Sequence, residues 1–444
     1  MNFTLESLRA CFEGHVPAVI ATCALDGTPN AAYLSQVHYV DAAHVALSFQ
    51  FFNKTRSNVL ANPRAMVWLV DPDTGAHFRL SLRYLRTETE GALFEHMKAR
   101  LAGIASHTGM SKVFHLRGAD LYGVQAIECV CDATLTPLPR RCNVIAALRS
   151  CTQRLATRVD LAGLFDEVLL CLETVFGIRH AMLLMLAERG DRLYTVGSRG
   201  YATSGVGSEI ALGEGVIGVA ARERTPIRIN HMTHEYLYSC AVRQAFLAAN
   251  PALDLETEIP MPGLAESRSQ LAVPIVRASR LLGVLYVESS EDRYFSYEDE
   301  DALVTLADHL ALSIGLCEQH AESHDETLPH AADTAPPSGP PVPVRHFPAN
   351  DSIFIGDDYL IKGVAGAIFW KLLRHHAQEG RTEFSNRELR LDPALRLPDL
   401  CDNLEVRLIL LQRRLADRCA YLRIEKAGRG RFRLVVGRPL QLSD

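Results

Sequence analysis

The sequence predicts a multidomain α+β protein built from three modules in series: an antiparallel β-barrel, an α/β sandwich, and a small unit of helices that ends in a hairpin. Three observations carry this expectation. At 444 residues and 48% hydrophobic content the chain can build several cores. Antiparallel strand patterns with one long helix occupy the first 135 residues, and strands flanked by helices follow. A run rich in proline, Pro336-Pro337-Ser338-Gly339-Pro340-Pro341, then sets a basic tail apart.

The formal charge is −6, but it is unevenly spread. From Arg345 onward 18 lysines and arginines meet 13 acids, net +5, which leaves −11 for the rest. Only the tail is therefore a polyanion binder by charge. No apolar run approaches the length that spans a bilayer and no secretory leader is legible, so the expectation is a cytoplasmic protein without membrane contact. The eleven cysteines lack the paired two-residue gaps of a zinc ribbon, which gives reduced thiols and no metal site.

In the first module (1–137) a short helix at Thr4–Glu13 precedes a strand at Pro17–Ala24. Asp26-Gly27 reads as a hairpin turn and Pro29–Val40 as the returning strand. His44–Phe49 is a third strand, and Asn53-Lys54-Thr55-Arg56-Ser57-Asn58-Val59-Leu60 a helix stopped by Asn62-Pro63. Strands at Ala65–Val70 and His77–Thr87, a helix from Glu90 to Ala105 and a strand at Leu121–Thr134 complete a small barrel. The start of the short helix at Asn53 is a ready anion site, because its amides point outward beside Lys54, Thr55 and Ser57. These features, with Arg117-Gly118-Ala119-Asp120 before the last strand, resemble the pyridoxamine 5'-phosphate oxidase-like split barrel. That resemblance implies FMN, with its phosphate at Lys54, Thr55 and Arg56 and its ring along Ser48, Phe49 and Gln50. Arg79, Ser81 and Arg83 alternate onto one face that reaches the same groove. Relatives of this fold hold heme, a deazaflavin or nothing, and no catalytic residue is identified.

The second module (140–318) opens with helices at Cys142–Thr157 and from an Asp160 cap to Phe176. Strands at Ala181–Ala187 and Leu193–Ser198, the turn Gly213 to Gly218 leading a helix, and strands at Pro226–Ile229, Ser269–Arg277 and Leu281–Glu288 follow. An acidic helix, Glu298–Leu316, closes it. The glycine turn, Ala272-Val273-Pro274-Ile275 and Gly283-Val284-Leu285-Tyr286-Val287 resemble a GAF sensor module, which implies an unidentified small-molecule effector and pairing of the flanking helices in a homodimer. His231, His234 and Cys240 fall in a long insertion where such modules place a lid; polar loop residues are the simpler reading than metal ligands.

Residues 319–347 read as an extended linker and 348–440 as the output module. There, helices at Tyr359–Leu373 and Phe384–Leu389 precede a third, capped by Asp402 and Glu405, whose Leu404, Leu408, Leu411 and Leu415 form one stripe. Asn403, Arg407 and Arg414 fall on a neighbouring stripe, and Lys426, Arg429 and Arg431 line the hairpin Leu422–Val436. This resembles the winged helix of OmpR-like output domains, which implies double-stranded DNA, with the third helix in the major groove and the hairpin on the backbone. The expectation is thus a one-component transcriptional regulator whose barrel and sensor modules control DNA binding; the alternative is an FMN-dependent oxidoreductase with regulatory appendages.

Overall fold

The computed structural model describes residues 3–13, 16–34, 37–49, 53–107, 116–135, 141–187, 190–229, 259–323, 338–392, 395, 404–428 and 430–443. In the N-terminal unit a 3-10 helix, Glu6–Glu13, leads into β1 (Ala18–Cys23), β2 (Pro29–Leu34), β3 (Val37–Asp41), β4 (His44–Phe49), α1 (Asn53–Ala61), β5 (Arg64–Val70), β6 (His77–Glu88), α2 (Ala92–His107) and β7 (Gly118–Cys131). The strands form one antiparallel sheet in the order β2-β1-β5-β6-β7-β4-β3. Phe78, Leu80 and Leu82 of β6 turn into the core with Ile20, Val45, Leu47 and Val67, as the period of two demands. The single strand expected over Pro29–Val40 is two: β2 pairs with β1, while β3 pairs with β4 at the other end of the order. No glycine, proline, asparagine or aspartate stands between Leu34 and Val37 to mark the change of sheet edge in the sequence.

The central unit contains α3 (Val144–Leu155), α4 (Leu161–Thr174), β8 (His180–Leu186), β9 (Arg192–Arg199), β10 (Glu209–Ala211), α5 (Gly215–Glu223), β11 (Ile227–Ile229), β12 (Ser269–Arg277), β13 (Arg280–Ser289) and α6 (Tyr297–Ser323). Its sheet runs β10-β9-β8-β13-β12-β11. Leu183, Leu285 and Val287 face α3, α4 and α6, packing with Phe165, Leu306 and Leu310. Met182, Leu184, Val284 and Tyr286 face the other way, onto Val216, Ile217 and Ala220 of α5. Burial on both faces explains why these strands are apolar throughout rather than alternating. Gly283 is required where β13 meets β8, since a Cβ there would lie 2.0 Å from the Leu184 carbonyl oxygen. Gly218 likewise lets α5 approach the strand before it, where a Cβ would lie 2.2 Å from the Ala211 oxygen.

The C-terminal unit begins with β14 (Val342–Phe347), β15 (Ser352–Ile355) and β16 (Asp358–Ile361), then α7 (Gly363–Glu379), β17 (Glu383–Ser385), α8 (Asn386–Arg390), α9 (Leu404–Arg418), β18 (Leu422–Lys426), β19 (Arg431–Val436) and β20 (Leu440–Ser443). One sheet is ordered β16-β15-β14-β20, the other β17-β19-β18. Two expectations are corrected here. The linker does not extend to 347, because Val342, Val344 and His346 alternate inward on β14 and the strand pairs with β15 and β20. The first helix starts at Gly363 rather than Tyr359, since Tyr359, Leu360 and Ile361 belong to β16. The Ser385 cap is as expected: its hydroxyl accepts from the Glu388 amide at 3.2 Å. No described helix is long and apolar enough to cross a membrane.

The barrel is seated on the central unit. Ala99 of α2 packs among Ile217 and Ala220 of α5, and His96 Nδ1 lies 3.2 Å from the Thr225 hydroxyl. Arg293 donates to the Pro72 carbonyl at 2.6 Å and pairs with Asp73. Behind α2, Arg228 donates to Glu300 at 2.7 Å and stacks on Tyr297, whose ring also meets Arg9 from the barrel at 4.4 Å. Burial pulls the Glu300 carboxyl up, but Arg228 and Arg100 outweigh it and the net direction is down. The His38 and His96 rings lie 4.8 Å apart beside Arg100. Burial first, then the Arg100 charge, lowers both; His38 falls from 6.5 to about 3.

A histidine that resists protonation only when folded contributes stability that is complete above its ordinary pKa and is lost as pH falls toward the folded value. Thermal melts should therefore show a falling Tm between about pH 7.5 and about pH 5, before carboxylates titrate. His38→Asn, which cannot charge, should flatten that slope; an unchanged slope would place the acid sensitivity elsewhere.

Candidate functional site

The barrel residues expected to hold FMN are gathered, but around a filled interior. Ser48 on β4 and Thr55 on α1 are buried, and Thr55 accepts from the Asn30 amide at 2.9 Å. Arg56 turns inward: it pairs with Asp120 of β7, donates to the Thr87 hydroxyl at 2.7 Å and stacks over Phe49 at 4.6 Å. Thr87 itself donates to Asp120 at 2.5 Å and lies 2.7 Å from the Tyr84 hydroxyl. The void that Ser48, Phe49, Thr55, Arg56, Asp120 and Tyr122 enclose measures about 10 Å³, room for one water. FMN does not fit inside it. Of the expected phosphate cradle, Thr55 and Arg56 are committed to the barrel's own polar network, and Lys54 with Ser57 stays exposed at the start of α1. Arg83 is a correction: it is exposed on the face opposite Leu82, lies opposite Arg64, and is not among the described residues lining the void. Arg79 on that same outer face pairs with Glu128. Gln50 lies outside the described residues.

In the C-terminal unit, α9 has two covered faces. Leu404, Leu408, Leu411 and Leu415 fill the unit's own core, and Val406, Ile409 and Leu410 are buried as well. Helix α9 lies against α4 and β9 of the central unit. Arg413 donates to the Val196 carbonyl at 2.5 Å and to Asp166 at 2.6 Å; burial draws its pKa down, while Asp166 and Asp417 act against that. Arg407 stacks over Tyr194 at 4.1 Å. Asp417 accepts from the Ser204 hydroxyl at 2.5 Å, and Lys362 and Lys426 reach Glu209 and Asp160 at 3.3 and 3.8 Å.

The expectation that Arg414 belongs to an exposed basic row is corrected. It is buried and donates to the Leu360 carbonyl at 3.0 Å and the Tyr359 carbonyl at 3.4 Å, so it ties α9 to β16 of its own unit. Lys426 is exposed on β18, and Arg431, half-buried, lies opposite Ser385. Asn403 and Arg429 lie outside the described residues, as do His231, His234 and Cys240. Arg413 is the residue that sequence reading missed. Its signal was present: Val406, Ile409, Leu410 and Arg413 recur at helical spacing and form a second stripe beside the leucines.

A third location was also missed. Between α5, the 261–267 segment and the β12-β13 pair lies a cavity of about 160 Å³, lined by Met182, Ile217, Met261, Gln270, Tyr286 and Glu288 among others. Glu288, 3% exposed, accepts from the Leu264 amide at 3.0 Å and from the Tyr286 hydroxyl at 3.3 Å. Gln270 donates to the Ser267 hydroxyl at 3.1 Å. The Tyr201 phenol is pushed upward by burial and then by the Glu288 charge. Among the described residues no cluster of three metal-ligating side chains exists.

Residues 159–314 match the family model of the GAF domain, and residues 4–124 match that of pyridoxamine 5'-phosphate oxidase. The chain thus carries a pyridoxamine 5'-phosphate oxidase-like N-terminal domain and a central GAF domain; the C-terminal unit lies beyond both matched spans. No curated protein matches. Among solved structures, an FMN-binding protein from Syntrophomonas wolfei subsp. wolfei is 17% identical over 28% of this chain and 85% of that one, with a TM-score of 0.25. The GAF domain of an Acinetobacter phosphoenolpyruvate-protein phosphotransferase is 22% identical over 41% and 97%, at 0.31. A free methionine-R-sulfoxide reductase from Neisseria meningitidis is 20% identical over 40% and 90%, also at 0.31.

The Arg56–Asp120 pair, with side chains 22% and 10% exposed, is the polar centre of the barrel site. Asp120→Asn leaves the guanidinium without its counter-charge and should cost about 2–4 kcal/mol, the cost of breaking a largely buried pair. Urea unfolding at neutral pH measures this, and a change below about 0.5 kcal/mol, the size of a neutral surface substitution, would show that Thr87 and the rings over Arg56 suffice.

Proposed function

We propose that the chain is a small-molecule-responsive regulator of transcription whose C-terminal unit is a winged helix, held by its recognition helix against the GAF domain until an effector releases it. The order of elements supports the winged-helix reading: helix α7, the short strand β17, helices α8 and α9, then a hairpin whose second strand pairs with β17. The net positive charge of the tail supports a polyanion as partner.

The carrying observation is that Arg407 and Arg413 on α9 are engaged with Tyr194, Val196 and Asp166 of the GAF domain. A helix in that position cannot also lie in a major groove, so DNA and the GAF domain compete for one face. On release, Arg407 and Arg413 would face DNA together with Asn403, and Lys426, Arg429 and Arg431 would meet its phosphates. Arg414 is excluded from that set by its bonds to β16. The working form is a homodimer in the cytoplasm, and exposed Ile145 on α3 with Leu312 and Leu316 on α6 supplies an apolar face for it.

Asp166 is exposed and lies on the GAF side of the contact, so changing it weakens the docked state without touching the proposed DNA face. Asp166→Ala in the full chain should raise affinity for duplex DNA by roughly tenfold, within the usual span of coupling energies. Asp166→Arg should raise it further. Fluorescence anisotropy at low salt measures this. Equal affinities would remove the competition. No binding by any variant would favour the reading that Val406, Ile409 and Leu410 suggest: a permanently covered helix in a module that contacts protein only.

For the barrel, FMN is the cofactor that the family match suggests, carried at the outer end of α1 with its phosphate at Lys54 and Ser57 rather than in the enclosed void. Titrated FMN should then be quenched by the wild-type protein and bind at least about fivefold more weakly to Lys54→Ala, the loss of one charge-assisted phosphate contact. Identical quenching by both, or none, would leave α1 without that role. The alternative, an FMN-dependent oxidoreductase with regulatory appendages, draws on the same family match.

A further inference from the structure

The cavity beside α5 is chemically one-sided. Its apolar wall is Met182, Ile217 and Met261, and its polar end is Gln270, Tyr286 and Glu288. The described donors to Glu288 are neutral: the Leu264 amide and the Tyr286 hydroxyl, with the Tyr201 phenol beside them. No lysine, arginine or histidine among the described residues forms an ion pair with it, whereas other buried carboxylates of this domain are paired: Glu167 with Arg154 and Arg158, and Asp299 with Arg141. Hydrogen bonds from neutral groups occupy a carboxylate's acceptor capacity and none of its charge. A carboxylate removed from water in this way selects for positive charge in whatever shares the cavity with it.

Size narrows the class further. A cavity of about 160 Å³ is close to the roughly 150 Å³ that accommodates a benzene-sized molecule, so the occupant has on the order of six to eight non-hydrogen atoms. Methionine suits an unbranched stem of variable shape, because the thioether side chain adapts to irregular contacts.

We propose that the GAF cavity binds a small organic cation, a primary ammonium or amidinium on a short apolar stem, with its charge on Glu288 and its stem against Met182, Ile217 and Met261. This deepens the reading of the central domain as the effector site and rests on it. Tyr286 and the Leu264 amide fix the carboxylate, and Gln270 with Ser267 offers hydrogen bonds to any further polar group.

The test uses the full chain and four probes of nearly equal size: n-butylammonium, propylguanidinium, 1-butanol and butyrate. Isothermal titration should show the two cations binding at least about tenfold more tightly than 1-butanol, with butyrate excluded. Glu288→Gln keeps the shape and an acceptor oxygen but removes the charge, and should abolish that preference; Glu288→Asp should restore part of it. Comparable binding of 1-butanol and the cations, no binding of either cation, or a preference that survives in Glu288→Gln overturns the proposal. The DNA reading is judged separately: cation binding that depends on Glu288 but leaves duplex affinity unchanged upholds the cavity's chemistry and removes its coupling to the output unit.

Discussion

The arrangement depends on one helix being covered twice. Helix α9 gives its leucine stripe to the C-terminal core and its Val406, Ile409 and Leu410 stripe to burial as well. Burial of both stripes favours the arrangement in which the helix is covered on two sides. The charges that interrupt the second stripe are tolerated because each has a partner of suitable chemistry: Arg413 meets a carbonyl and a carboxylate, and Arg407 meets the face of a tyrosine. The docked conformation thus uses for internal satisfaction the same guanidinium groups that a nucleic acid would need.

The barrel and the GAF domain are joined by a different kind of contact. Helix α2 lies across α5, and near that junction burial first, then the Arg100 charge, holds His38 and His96 below the usual histidine range, while Arg228 and Arg100 hold the Glu300 carboxyl down. Helix α5 also lines the cavity of about 160 Å³ through Ile217. Under the proposal, a change in what the cavity holds would reach two junctions, through α5 toward the barrel and through the sheet toward β9 and α9. Both routes are contiguous packing, and neither requires the proline-rich segment to transmit anything.

Much of this was legible in the residues. The strand alternation of β6, the Asp160 and Ser385 caps, the Gly213 to Gly218 turn and the β18-β19 hairpin are where local chemistry places them, because each is set by near neighbours in the chain. What was not legible depended on distant groups. That Arg56 would turn inward to Asp120, or Arg414 back to β16, follows from residues 64 and 54 positions away. The same limit hid the split of the strand after Pro29 and the cavity around Glu288, whose lining comes from four separate stretches of sequence. The reading of α9 as having one apolar face erred for a simpler reason: Val406, Ile409 and Leu410 were visible, but a leucine repeat at helical spacing drew the whole assignment to itself.

The parallel pairing of β14 with β20 brings the first and last strands of the C-terminal unit side by side, with Val342 opposite Leu440. The unit is consequently tied together end to end by its own strands. Its core is also continuous with that of the GAF domain, since Phe165 and Leu306 fall in one apolar cluster with Leu404 and Leu434. Under the proposal, release would then have a threshold: loosening one edge would yield little, and the response would be that of a latch rather than a dial.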